Sequence, residues 1–112
     1  MSLARPYRLS GSGVLARTFR QGKTVRYSGF FIRYLPNGLA RNRLAVTVPR
    51  AVSSKAVVRN RLRRIISENI KEFFRNGAGW DVAIVALPTI LKKHPSEINS
   101  ELQQAISQII VK

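Results

Sequence analysis

The sequence predicts a single α+β domain in the order helix, three strands, helix, strand, helix. Three observations carry this reading. The apolar residues Val58, Leu62, Ile65, Ile66, Ile70 and Phe73 recur at helical spacing, and Ile98, Leu102, Ile106, Ile109 and Ile110 repeat the pattern near the end. Before and between these stripes lie short runs rich in aromatic and β-branched residues, which read as strands. Glycine and proline punctuate the junctions, and 112 residues suit one domain with a modest core.

Taken in order, residues 1–11 carry Arg5, Pro6, Arg8, Ser10 and Gly11 and are expected to form a partly mobile basic arm. Ser12 is placed to cap a short helix over Gly13 to Arg20, which Gly22 ends. Leu15 and Phe19, four apart, share a face of it, which by itself reads as ordinary core packing. A short strand is expected near Thr24 to Tyr27, and a longer one over Gly29 to Leu35. Alternation in the second puts Phe30, Ile32 and Tyr34 on one face and Phe31, Arg33 and Leu35 on the other. Pro36-Asn37-Gly38 signals a turn, and Arg41 and Arg43 lead into a strand over Leu44 to Val48. These three strands are expected to form an antiparallel meander closed by Pro49. Ser53 and Ser54 compete to cap the long helix from Ala56 to Asn76, which Gly77-Ala78-Gly79 stops. Trp80 to Leu87 is apolar almost throughout and reads as a central strand buried on both faces. Pro88 ends it, a loop holds Lys92, Lys93 and His94, and Ser96 is expected to cap the last helix.

Charge is the most informative quantity. Twenty Lys and Arg face five Asp and Glu, a net +15, and every acid lies after Ser67. Such a chain suits a polyanion, and its 45% apolar content describes a folded nucleic-acid binder rather than a basic tail. The absence of cysteine excludes a disulfide framework, a thiolate nucleophile and a cysteine-built zinc site. No apolar run reaches the length of a membrane span, so a soluble, cytoplasmic protein is expected.

The charge concentrates at the start of the long helix, where Lys55, Arg59, Arg61, Arg63 and Arg64 crowd the positive end of the helix dipole with no acid among them. Each like charge there costs a few tenths of a kcal/mol, so the cluster serves an external polyanion or, on the plainer reading, is a solvated face. At about 100° per residue, Arg59, Asn60 and Arg63 lie on one flank of the apolar stripe and Arg61 and Arg64 towards the other. Catalytic groups are scarce. Glu68 and Glu72, and Glu97 and Glu101, stand four apart as exposed ion-pairing acids, and His94 sits in a lysine-flanked loop. No phosphate-binding glycine loop, nucleophile elbow or metal-ligand spacing occurs, so no catalytic or metal-binding residue is assigned.

The run Ala56 to Arg64, with Arg59-Asn60-Arg61 at its centre and the pair Arg63-Arg64, resembles the signature of the bacterial ribonuclease P protein subunit. Arg8-Leu9, Phe19, Gly22, Arg43 and Asp81-Val82-Ala83-Ile84-Val85-Ala86 stand in that family's order and spacing, so the resemblance covers most of the chain. It implies a ribosomal-protein-like fold with a left-handed βαβ crossover, against the general rule for such connections. It also implies a subunit of an endoribonuclease in which a catalytic RNA, with Mg2+ bound mainly by that RNA and none by the protein alone, removes the 5′ leader of precursor tRNA. Carried over residue by residue, Arg50, Lys55, Arg59, Asn60, Arg61, Arg63 and Arg64 would meet the catalytic RNA, and Phe19 would line a leader-binding cleft. Leu15 and Arg33 stand where that family usually has aromatic residues, which makes Phe31, beside Arg33 on one strand face, a substitute. Pro49 and Ala51 likewise flank Arg50 where the family has more lysine. The implied partners are the catalytic RNA and precursor tRNA, with no membrane and no small-molecule substrate. A ribosomal protein or RNA chaperone would share the charge and fold class without needing this helix. A self-sufficient nuclease would need an acid or histidine cluster that the first 67 residues do not supply.

Overall fold

The strand with the longest apolar run takes the centre of a four-stranded sheet. In the computed structural model, which describes residues 12–76 and 79–110 with side chains over 13–71 and 79–109, the elements are α1 (Ser12–Gln21), β1 (Lys23–Arg26), β2 (Phe30–Pro36), β3 (Arg43–Thr47), α2 (Ala56–Asn76), β4 (Trp80–Ala86), a 3-10 turn (Pro88–Lys92) and α3 (Pro95–Ile110). The expected arm at 1–11, the stop at Gly77-Ala78 and the side chains of Ser12, Glu72, Phe73 and Ile110 lie outside the described residues.

The order of elements is the expected one, but the meander is corrected. β2 pairs antiparallel with β1 and with β4, and β3 pairs parallel with β4, giving the sheet order β1-β2-β4-β3. β4 buries Val82, Ala83, Ile84 and Ala86, residues from both of its faces, so it gains most from a neighbour on each side and cover on each face. β3 carries the half-buried Arg43 and the exposed Thr47 and tolerates an edge. The segment β3-α2-β4 is thus the parallel βαβ unit.

One sheet face builds the core. Phe30, Ile32 and Tyr34 of β2, Val82, Ile84 and Ala86 of β4 and Leu44 of β3 pack on Leu62, Ile66 and Ile70 of α2 and on Ile98, Leu102, Ile106 and Ile109 of α3. Each such buried side chain contributes about 1.5–3 kcal/mol. The register places Thr24, Arg26, Phe31, Arg33, Ala83, Val85, Ala45 and Thr47 on the opposite face, towards α1. α1 closes against the sheet at Gly22, whose N–H donates to the Thr18 carbonyl at 2.9 Å. A Cβ at Gly22 would sit 2.4 Å from that carbonyl oxygen and 2.9 Å from the Tyr34 carbonyl oxygen, so glycine alone allows the approach. Gly38, at φ +70°, supplies the left-handed residue of the expected turn.

The helix caps differ from expectation. The Lys55 carbonyl accepts the first helical bond of α2, from the Arg59 N–H at 3.2 Å, so the cap position falls one residue past Ser54. Ser53 Oγ instead accepts from the Lys55 N–H at 3.2 Å and shapes the turn before the helix. Residues 88–92 form a 3-10 turn where a loop was expected. α3 is capped by His94 rather than Ser96. Glu97 Oε1 accepts from the His94 N–H at 3.0 Å, the returning half of a capping box, and the Ser96 N–H donates to His94 Nδ1 at 3.2 Å. Pro95 takes the first helical position, where its missing N–H costs nothing, which moves the start two residues earlier.

Candidate nucleic-acid interface

Two basic surfaces lie on opposite sides of the sheet. The first is the start of α2. Arg59 is half-buried, and its Nη1 donates to the Ser53 carbonyl at 3.0 Å. Arg63 Nη2 donates to Asn60 Oδ1. These acceptors are uncharged, so they fix both guanidinium groups in place without neutralising them. A cation already ordered this way loses less side-chain entropy when a phosphate arrives. Asn60, Arg61, Arg64, Lys55 and Arg50 are exposed, and no acid stands in the first turn. The two flanks read from the sequence do face different surroundings: Arg59 turns to the loop before α2, whereas Arg61 lies towards Leu91 and Lys93.

The second surface is the sheet face shared with α1. Phe19 and Leu15 of α1 are half-buried, as are Phe31 and Arg33 of β2. Arg33 spends its guanidinium on the protein. Its Nη2 donates to the Phe19 carbonyl, near the C-terminal end of α1 where carbonyls lack helical partners, and its Nη1 donates to Thr24 Oγ1 at 2.9 Å. The structure thus brings Phe19 and Arg33 together through the Phe19 backbone. Phe31 lies two residues along the same strand face, with the Arg26 guanidinium 5.5 Å from its ring centre. Arg26 was missed by the sequence reading, because only the register Arg26↔Phe31 places it there. The result is an apolar floor of Phe31 and Val85 edged by cations, open where Thr47 and Arg26 are exposed.

Asp81, Glu97 and Glu101 have structural partners. Asp81 is fully buried; Arg43 Nε and Nη2 donate to its two oxygens at 2.7 and 2.8 Å, and Asn37 Nδ2 donates at 2.9 Å. The hydrogen bonds that Arg43 donates to Asp81 raise the Arg43 pKa further above its already high ordinary value. Asn42, buried and also missed, accepts the Trp80 N–H at 2.8 Å, so Asn37, Asn42, Arg43 and Asp81 tie the turn after β2 to the start of β4. Glu101 pairs with Lys93 at 3.1 Å and Glu97 serves the α3 cap. Among the described residues no three His, Asp or Glu side chains gather to hold a metal ion. What the site offers is fixed cations, the exposed amide of Asn60 and half-buried rings, groups that suit binding to a polyanion.

A family model described as ribonuclease P matches residues 3–110. This chain belongs to the ribonuclease P protein family. The ribonuclease P protein component of a Synechocystis species is 36% identical over 110 residues, covering 96% of this chain and 89% of its own length. That of Nitrosococcus oceani is 31% identical, covering 93% and 84%. The solved ribonuclease P proteins of Staphylococcus aureus and Thermotoga maritima share the fold. Their TM-scores are 0.83 and 0.77, each at 22% identity, covering 92% and 90% of this chain and 94% and 96% of theirs. Membership carries the family's role in tRNA processing within a ribonucleoprotein. In this chain Asp81 of the late-strand motif is a structural anchor, and no described helix is long and apolar enough to cross a membrane.

Proposed function

We propose that this chain is the protein subunit of the ribonuclease P holoenzyme, an endoribonuclease in which the catalytic RNA cleaves precursor tRNA and the protein binds both. α2 holds the catalytic RNA through Arg59, Asn60, Arg61, Arg63 and Arg64, with Arg50 and Lys55 beside them, chiefly by phosphate and shape. The cleft of Phe19, Phe31 and Arg33 receives the single-stranded 5′ leader, Arg33 by holding α1 in position. The observation that carries this reading is the separation of two basic surfaces by one sheet, which lets a small protein touch two RNAs at once. The bond is cut at the RNA, whose magnesium supplies the chemistry. The protein contributes position and relief of phosphate repulsion, and it works in the cytoplasm where tRNA is made.

A stacked aromatic is worth about 1–3 kcal/mol per base by truncation. Phe19→Ala should therefore weaken binding of precursor tRNA to the assembled enzyme, by at least about fivefold, and leave mature tRNA almost unchanged, because mature tRNA has no leader. Equal weakening of both would assign Phe19 to the core alone.

A further inference from the structure

An apolar groove opens between α2, the 3-10 turn and α3, on the side of the sheet away from the leader cleft. Val58 and Ile65 of α2, Leu91 of the 3-10 turn and Ile98 of α3 form its walls, and Arg61 and Lys93 stand at its rim. Leu91 is 51% exposed there, although a Leu of this size gains by burial. The groove is continuous with the basic start of α2 through Arg61. Lys93 at the rim is already paired with Glu101.

We propose that this groove seats one unpaired nucleobase of the RNA that α2 binds, with an adjoining phosphate on Arg61; the proposal rests on the reading of α2 as the RNA-binding helix. Size argues for a single base. The groove holds about 140 Å³, near the roughly 150 Å³ of an apolar cavity that takes one benzene ring. A docked peptide helix would need a longer trough with anchors at successive turns. Charge argues the same way, since an apolar wall with a cation at its edge complements a flat base face joined to a phosphate. Recognition is then of one base extruded from structured RNA rather than of a duplex.

The chain has no cysteine, so Leu91→Cys offers a unique attachment point for an aryl azide. With the catalytic RNA of ribonuclease P as probe, photolysis should give crosslinks at one unpaired nucleotide. Leu91→Asn should weaken RNA affinity about five- to tenfold with no change in the log–log salt slope, because no charge is lost. Arg61→Ala should weaken it and flatten the slope by somewhat under one unit. Wild-type affinity in Leu91→Asn, or crosslinks scattered over duplexes, would overturn the groove assignment while leaving RNA binding by α2 intact. Crosslinks from chain to chain would give the groove to a second copy and overturn it too. Loss of the salt-dependent binding itself would instead refute the reading of α2.

Discussion

Arg33 separates two accounts of the cleft. If it positions α1, its value lies in two charged-donor hydrogen bonds, to the Phe19 carbonyl and to Thr24 Oγ1. A hydrogen bond from a charged group contributes about 1.5–3 kcal/mol, and the bond to Thr24 is exposed and belongs at the lower end, so together they give about 3–4 kcal/mol. Arg33 Nε is buried without a partner, which offsets about 1 kcal/mol. Arg33→Ala should therefore cost about 2–3 kcal/mol, a fall in Tm of about 8–12 °C for a domain of this size. Arg33→Lys should recover part of this, because one ammonium group replaces a fork that reaches two acceptors. Thermal unfolding of the two variants measures the stability, and fluorescence titration of precursor and mature tRNA on the reconstituted enzyme measures the cleft. Because Arg33 acts through Phe19, the Phe19→Ala, Arg33→Ala double variant should bind precursor tRNA no more weakly than Phe19→Ala alone. A wild-type Tm in Arg33→Ala, with a loss of leader affinity that adds to that of Phe19→Ala, would refute the positioning role and place Arg33 on the RNA.

The Arg59→Ala, Arg63→Ala double variant should flatten the log–log salt dependence of catalytic RNA binding by up to about two units; a wild-type slope would show that these cations do not meet phosphates. Arg43→Ala leaves the buried Asp81 carboxylate without its cation and should cost about 3 kcal/mol in chemical denaturation, with Asp81→Asn in the same chain restoring part of it. Gly22→Ala should destabilise by about 1–3 kcal/mol by the same measurement, because the added methyl meets two backbone carbonyls rather than movable side chains. Glu97→Ala removes the returning half of the α3 capping box and should cost about 1 kcal/mol while leaving cleavage by the assembled enzyme unchanged.

Periodicity located the elements because burial has the same period as the backbone. The bounds of α2, Ala56 to Asn76, and the faces of β2 were legible for that reason. Strand neighbours were not, since the order depends on which strand can be covered on both faces, and a turn signal such as Pro36-Asn37-Gly38 shows only that the chain reverses. Helix caps were partly hidden as well. Ser96 has the usual capping side chain, but Pro95 and the bond from His94 to Glu97 set the start of α3. The cationic cluster of α2 was plain in the sequence because it violates the helix dipole. The role of Arg33 was not, because nothing local tells whether a guanidinium aimed at a cleft meets a ligand or the end of a neighbouring helix. Arg26, Asn42 and Leu91 gain their places only from partners far along the chain.

The central claim is that this chain assists an RNA catalyst and has no cleaving groups of its own. It is tested most directly with 5′-labelled precursor tRNA incubated with the purified protein, with the catalytic RNA, and with both, across a magnesium series. The protein alone should cut nothing, and adding it to the RNA should help most at low magnesium, where a +15 partner replaces the counterions that high magnesium supplies. Site-specific release of the leader by RNA-free protein, surviving nuclease controls, would contradict the account, as would the absence of any gain at low magnesium.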